Sequence, residues 1–233
     1  MRRLIISGIQ IIVFFLWVKF IEKRPIKCLG FKTKSPIKSY IIGMIIGFSA
    51  ITITVCILKC LEAVRFEGNG MDTVDGFFVM IIIGWFIQSA SEEIAIRGWL
   101  IPILKEKSSA IGAIAITSLI FGICHLFSEG VSIVSFVNLI LSGVFFSLYS
   151  IYTESIVGTC GIHFMWNLAL GNIYGFPVSG FSDNGSKILY TISDNRTILT
   201  GGAFGAEASI ITTGILSIGI IVMYLYFHNC KSK

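Results

Sequence analysis

Long apolar stretches alternate with short polar connections along this chain. Seven stretches reach or approach the roughly 20 residues that an α-helix needs to cross the hydrocarbon core of a membrane. They lie near residues 4–20, 40–58, 76–104, 109–127, 131–152, 155–174 and 208–227. The pattern predicts an all-α fold, a polytopic bundle of about seven transmembrane helices.

The composition supports a membrane protein. Hydrophobic residues make up 55% of the 233 residues and charged residues 13%, whereas soluble domains carry about 25% charged residues. The mean hydropathy is +0.86. No repeat or low-complexity run divides the chain, so residues 1–233 are expected to form a single integral membrane domain.

The first apolar stretch resembles a secretory signal, because Leu4 to Val18 follow Arg2 and Arg3. It lacks a small-x-small cleavage site, and a basic segment follows it directly. We therefore interpret it as a membrane anchor, with a cleaved signal as the alternative.

The distribution of charge predicts an orientation. A basic block separates the first two apolar stretches: Lys19, Lys23, Arg24, Lys27, Lys32, Lys34 and Lys38. The positive-inside rule assigns such a block to the cytoplasm, which places the amino terminus outside and the carboxyl terminus inside. The loop with Glu62, Glu67, Asp72 and Asp75 and the long loop 174–207 then lie outside.

This block accounts for most of the net charge of +5. We therefore expect contact with membrane lipids and no nucleic-acid partner. The loop 174–207 is rich in Gly, Ser, Asn and Asp and is too polar to cross lipid, which makes it a candidate lid. The six cysteines show no ligand spacing and are expected to remain free thiols.

Three charged residues interrupt the third apolar stretch. Glu93 and Arg97 are four residues apart and share one helical face, where they can neutralise each other. Glu92 is turned by about 100 degrees from Glu93 and has no such neighbour. Each central charge costs about 2.5 to 3.5 kcal/mol on insertion scales, so a cluster of three indicates a specific role.

Two further stretches each contain a histidine. Phe121 precedes His125 by one helical turn, and His163 shares a face with Asn167. At about 1.5 Å of rise per residue, Glu92 and His163 can meet near the middle of the membrane. His125 is about 24 Å from Ser109 on the same scale, which is a poorer match.

These side chains form a set suited to hydrolysis. A buried glutamate can take a proton from water, and an imidazole can share that proton. A histidine or an asparagine amide can stabilise an oxyanion. Two histidines and a carboxylate can also hold a catalytic zinc ion, with Glu92, Glu93, His125 and His163 as candidates, although no H-E-x-x-H motif is present.

Polar side chains in membrane helices can also serve only to join neighbouring helices. A membrane binding or scaffold protein and a small proton-coupled transporter are two further alternatives. A transporter would more often show inverted repeats or paired broken helices, and the sequence shows neither.

The motifs Glu92-Glu93-x-x-x-Arg97, Phe121-x-x-x-His125 and His163-x-x-x-Asn167, in this order, resemble those of the CPBP intramembrane proteases. This family includes the CAAX prenyl endopeptidases and bacterial bacteriocin-immunity relatives. The similarity covers a protease core of about residues 39–207. It includes a glycine-rich segment, 201–207, in which Ala206 stands where bacterial members often have proline.

The resemblance implies a helical membrane fold with a polar cavity that opens toward the cytoplasm. It implies that Glu92 activates water together with His125, that His163 and Asn167 hold the oxyanion, and that Glu93 and Arg97 support the site. Both a metalloprotease and a metal-free glutamate mechanism are compatible with it.

The resemblance also implies a peptide substrate, either prenylated or otherwise bound to the membrane. The length of the chain is typical of bacterial members, which places it in a bacterial plasma membrane. A non-proteolytic immunity or scaffold role on the same fold remains the alternative.

Overall fold

The computed structural model describes residues 2–70, 74, 76–182 and 185–231, and helices dominate this part of the chain. The longer helices are α1 (Arg2–Leu16), α2 (Pro36–Cys60), α3 (Phe77–Glu93), α4 (Ile101–Lys107), α5 (Ala110–Ile123), α6 (Ile133–Thr153), α7 (Val157–Leu168), and, after the short α8 (Thr197–Thr200), α9 (Ile210–Lys231). The all-α prediction is confirmed.

Three π-helical segments in the described part of the chain extend helices α1, α3 and α7. Trp17–Ile21 continues α1, Ile94–Leu100 joins α3 to α4, and Ala169–Ile173 continues α7. The middle segment makes one continuous rod of residues 77–107, 31 residues long. Its wider turns begin directly after Glu93 and contain Arg97, so the charged cluster lies where the helix changes its winding.

Seven membrane spans are not confirmed. Among the described residues, five helices are long and apolar enough to cross a membrane: Leu4–Ile21, Pro36–Cys60, Phe77–Lys107, Ile133–Thr153 and Ile210–Asn229. Helix α5 has only 14 residues, shorter than the predicted stretch 109–127, because the chain leaves the helix at Cys124. Helix α7 has 12 residues before its π-helical extension, and most of its side chains are buried among other helices.

A small β-ribbon was not expected from the sequence. Strand β1 (Val64–Asn69) pairs antiparallel with β2 (Leu189–Ser193), which lies inside the loop 174–207. The Arg196 side chain donates to the carbonyls of Leu61 and Glu62 at 3.1 and 2.7 Å. The Arg196 backbone N–H and guanidinium also hold the pKa of the Asp194 carboxyl below its ordinary value. The described part of this loop is therefore tied to β1 and to the end of α2.

The bundle has two distinct ends. The ribbon end carries β1, β2 and the connection from α7 to α9, whose Gly180 N–H donates to the Phe204 carbonyl. The basic end carries segment 22–35 and the turn between α6 and α7, joined by a 2.9 Å hydrogen bond from Ile156 N–H to the Gly30 carbonyl. Asp72, Asp75 and Lys233, which contributed to the predicted orientation, lie outside the described residues.

Helix α7 is held at the centre by close backbone packing against α2. A Cβ atom on Gly47 would lie 2.3 Å from the Ile162 carbonyl oxygen, and one on Gly161 would lie 2.3 Å from the Tyr40 carbonyl oxygen. Small residues permit such an approach between membrane helices. The position of α7, which carries His163 and Asn167, is therefore fixed by backbone contact.

The described cysteines are free thiols. They are Cys28, Cys56, Cys60, Cys124 and Cys160.

Candidate active site

A cavity of about 290 Å³ brings together side chains from four of the predicted positions. Glu92, His125, His163 and Asn167 all line it. They come from α3, from the turn after α5 and from α7. Further lining residues come from α1, α6 and the connection before α9: Ile6, Ser7, Gln10, Leu139, Ser142, Val178, Ser179, Phe181 and Glu207.

Glu92 lies in the last turn of α3 and reaches the cavity. Its side chain is 27% exposed. One carboxylate oxygen, Oε1, accepts a 2.5 Å hydrogen bond from Gln88 Nε2, one turn earlier. The other oxygen, Oε2, is buried and has no hydrogen-bond partner among the described residues. Gln88 therefore occupies the helical position next to Glu92, but as a neutral amide it does not balance the charge as Arg97 does for Glu93.

Glu93 lies on the dry side of the same helix and has two partners. Its Oε1 accepts from Arg97 Nη1 at 3.0 Å, which confirms the predicted pair, and both side chains are 0% exposed. The same oxygen accepts from His163 Nδ1 at 2.9 Å. Glu93 therefore links α3 to α7, a contact that joins residues 70 positions apart.

Arg97 is enclosed by aromatic rings. Its guanidinium carbon lies 5.0 Å from the centre of the Phe121 ring and 5.3 Å from that of Phe146. Arg97 Nη2 donates to the Gly143 carbonyl at 3.3 Å. Cation–π contacts of this kind stabilise a desolvated guanidinium. Glu93, Arg97, Phe121 and Phe146 thus form a layer, called the Arg97 layer below. It joins α3, α5 and α6 on the side of the cavity that faces the basic end.

The contacts of His163 orient its ring. Because the ion-paired Glu93 carboxylate only accepts, Nδ1 carries the hydrogen. The opposite nitrogen, Nε2, lies 3.8 Å from Glu92 Oε2. That distance exceeds a direct hydrogen bond.

His125 lies outside the helix in which it was expected. Helix α5 ends at Ile123, and His125 follows in a turn. Its Nδ1 donates to the Phe121 carbonyl at 2.8 Å, and its ring packs on the Phe121 ring with centres 4.8 Å apart. The turn brings the partly exposed imidazole to the cavity and removes the depth mismatch of a continuous helix.

Asn167 joins the site through Gln88, a residue that the sequence interpretation missed. Asn167 Nδ2 donates to Gln88 Oε1 at 2.9 Å, while Gln88 donates to Glu92. The amide of Gln88 therefore orients both side chains. The four-residue spacing of Gln88 and Glu92 was the available signal, because it matches that of Glu93 and Arg97.

Glu207 forms part of the opposite wall and was also missed. Its Oε1 accepts from Trp166 Nε1 at 2.9 Å, and its Oε2 accepts from the Ser179 backbone N–H at 2.6 Å. The Glu207 carbonyl accepts from Asn138 at 2.7 Å. These contacts hold the connection before α9 against the cavity.

The zinc candidates do not form a metal site in this geometry. Within the described ranges, no three His, Cys, Asp or Glu side chains are grouped to hold a metal ion. Glu93 Oε1 is already committed to Arg97 and His163, and both histidines use their Nδ1 hydrogens, which leaves Glu92 and the two Nε2 atoms as the remaining donors. The donor set as arranged does not fit a catalytic zinc centre, which needs three protein ligands.

A family model supports the resemblance. The model described as "Type II CAAX prenyl endopeptidase Rce1-like" matches residues 74–169. This segment contains all three motifs, from Glu92 to Asn167. Over that part of the chain, the match agrees with the resemblance to the CPBP intramembrane proteases that the motifs indicated. It supports a protease of the CAAX endopeptidase kind in the membrane.

No curated protein and no solved structure gave a significant match to the chain.

Proposed function

We propose that this protein is an intramembrane endopeptidase in which Glu92 activates a water molecule for attack on a peptide bond. One observation carries the proposal: Glu92 Oε2, which no described group hydrogen-bonds, lies 3.8 Å from His163 Nε2 inside the cavity. A water admitted between these atoms would donate to Glu92 Oε2 and contact His163 Nε2. The water would then lie within reach of Glu92, the proposed general base.

The proposed reaction is an ordinary hydrolysis. Glu92 takes a proton from the water as the water oxygen bonds to the peptide carbonyl carbon. The carbonyl oxygen becomes an oxyanion. Glu92 then returns the proton to the amide nitrogen, the C–N bond breaks, and an acid and an amine leave.

His163 is the better-supported partner of Glu92 for holding the water, since its Nε2 faces the free carboxylate oxygen. The resemblance implied His125 for this role. His125 also lines the cavity, with its Nδ1 held by the Phe121 carbonyl, and we assign it to substrate contact beside the water.

Asn167 is the proposed oxyanion donor. Its amide nitrogen carries two hydrogens, and one is used by Gln88. The second is available to a developing negative charge on the substrate. Glu93 and Arg97 have the supporting role: they fix the tautomer and orientation of His163 from outside the cavity.

The proposed substrate is a peptide bound to or embedded in the membrane. The cavity walls combine the motif side chains with apolar ones such as Leu139, Phe146 and Val178, which suits a chain with apolar character. A non-proteolytic protein of the same fold would use the cavity for binding alone. The peptidase requires Glu92 as a base, whereas a binding protein does not.

The test is Glu92→Gln in purified protein reconstituted into lipid vesicles with a library of membrane-anchored peptides. We expect cleavage to fall by about 100- to 10,000-fold, the usual contribution of a general base. Thermal unfolding should be unchanged, because Gln preserves the shape of the side chain and the oxygen that accepts from Gln88.

The matched control is Glu67→Gln at the ribbon end, an exposed glutamate whose only described partner is Arg65. It should cleave as the wild type does. Equal cleavage by the wild type and Glu92→Gln would contradict the catalytic assignment.

A further inference from the structure

The active-site cavity lies toward one end of the bundle. Val178, Ser179, Phe181 and Glu207 form part of its wall, and all four belong to the connection between α7 and α9 at the ribbon end. From the continuous helix of residues 2–21, only residues of the first half line the cavity: Ile6, Ser7 and Gln10. The cavity therefore extends from the level of Glu92 toward the ribbon end.

A dense layer closes the cavity toward the basic end. Glu93 and Arg97 form this layer with 0% exposed side chains. Phe121 and Phe146 pack on the Arg97 guanidinium and are 6% and 3% exposed. A hydrated peptide cannot pass such a layer without breaking a buried ion pair.

A separate cavity lies on the other side of this layer. It has a volume of about 560 Å³ and is lined by residues of the basic end, among them Lys32, Lys105 and Glu154, with Arg97 as its inner limit. Of these two cavities, the motif residues Glu92, His125, His163 and Asn167 line only the first. The two ends thus lead to two different spaces.

The charges of the two ends differ strongly. Described basic residues at the basic end are Lys19, Lys23, Arg24, Lys27, Lys32, Lys34, Lys38, Lys105 and Lys107, against Glu22, Glu106 and Glu154. Those at the ribbon end are Lys59, Arg65, Lys187 and Arg196, against Glu62, Glu67, Glu129, Asp194 and Glu207. Arg2 and Arg3, at the start of α1, add positive charge to the ribbon end, but the basic end keeps the larger excess of positive charge. The positive-inside rule therefore assigns the basic end to the cytoplasm.

We propose that the active-site cavity receives its substrate from the extracytoplasmic face of the membrane. Its substrate is then a peptide segment that has already crossed the membrane or is exposed on the outer face. The resemblance implied a cavity open to the cytoplasm. That expectation and the charge-based orientation exclude each other, because the cavity and the basic end lie on opposite sides of the Arg97 layer. That the cavity receives a substrate rests on the proposed function, whereas the side from which the cavity is reached does not.

Three single-cysteine variants test this proposal in a background without the native cysteines. Glu67→Cys marks the ribbon end, Lys107→Cys marks the basic end, and Ser142→Cys lies in the cavity wall. Intact cells are treated with a charged, membrane-impermeant maleimide, and a second sample is treated after permeabilisation. Size-exclusion chromatography in detergent checks that each variant is folded.

We expect Glu67→Cys and Ser142→Cys to react in intact cells and Lys107→Cys to react only after permeabilisation. Reaction of Ser142→Cys together with Lys107→Cys, or from neither side, would overturn the proposal. Reaction of Glu67→Cys only after permeabilisation would overturn the orientation. An epitope after Lys233, reached by antibody only in permeabilised cells, checks the orientation with all native cysteines present.

Labelling does not require catalysis, so the result stands apart from the proposed function. An inactive wild type with labelled Ser142→Cys would refute the peptidase and keep the side of access. An active wild type with the opposite labelling would keep the peptidase and refute the side of access.

Discussion

Two neighbouring carboxylates occupy opposite environments in this protein. Glu92 is 27% exposed and lines a cavity, and its Oε1 accepts from the neutral Gln88 side chain. In both glutamates, Oε2 has no hydrogen-bond partner among the described residues. Glu93 is 0% exposed, and its Oε1 accepts from both Arg97 and His163. In the proposed function, the side of α3 that carries Glu92, its wet side, performs the chemistry, whereas the side that carries Glu93, its dry side, holds the helices together. The difference teaches that identical side chains acquire separate roles from about 100 degrees of helical rotation.

Arg97→Ala tests the dry side most severely. Removing one partner of a buried ion pair leaves Glu93 as an uncompensated charge, which costs about 3–5 kcal/mol of unfolding free energy. We expect low expression and a much lower unfolding temperature in detergent. Arg24→Ala is the matched control, because Arg24 is 39% exposed in its ion pair with Glu22 and should change stability by less than about 1 kcal/mol. Equal losses of unfolding free energy in the two variants would show that the buried Arg97 pair contributes no more to stability than the exposed Arg24 pair.

The double variant Glu93→Gln with Arg97→Met sharpens the comparison. Removing both charges avoids the unpaired group, so the double variant should be more stable than the sum of the single changes by about 1–3 kcal/mol. Activity should stay low, because His163 loses its charged partner. Recovery of stability and of cleavage together would show that the pair has no part in orienting His163. Thermal unfolding and vesicle cleavage assays measure the two effects.

Gln88→Met tests the wet side without touching a charge. The change keeps the side-chain volume and removes the hydrogen bonds to Glu92 and from Asn167. We expect cleavage to fall by about 10- to 100-fold through misplacement of both groups, and unfolding free energy to fall by only about 1 kcal/mol. The loss should appear in kcat with little change in KM. A loss confined to stability would make Gln88 a purely structural residue.

Chelation is expected to have the smallest effect. Dialysis of the purified protein against a strong chelator should leave cleavage unchanged, because no three candidate ligands among the described residues are grouped to hold a metal ion. Metal content is measured on the same sample before and after dialysis. Loss of cleavage with loss of zinc, restored by zinc alone, would replace the glutamate mechanism by a metal-dependent one.

Local spacing was sufficient for part of the site. Glu93 and Arg97 are paired within one helix, so their four-residue separation predicted the contact. The same rule applied to Gln88 and Glu92 would have found the hydrogen bond that the sequence interpretation overlooked. The hydropathy pattern located the five long helices for the same reason, since each is a local property of the chain.

Tertiary contacts could not be predicted in this way. The bond from His163 to Glu93 depends on how α7 packs against α3, and no spacing rule links positions so far apart. Glu207 is similar, because its partners Trp166 and Ser179 are distant in sequence. The turn that carries His125 begins inside an apolar stretch, so hydropathy alone extended α5 beyond its true end.

The backbone contact of α7 with α2 has a consequence for the behaviour of the protein in different bilayers. Main-chain atoms that already touch at Gly47 and Gly161 cannot be compressed further. A thinner or thicker lipid host must then be accommodated by tilting of outer helices such as α1, whose span is 11% buried. We therefore expect the spacing between His163 and its neighbours, and with it the proposed chemistry, to change little with the thickness of the surrounding lipid.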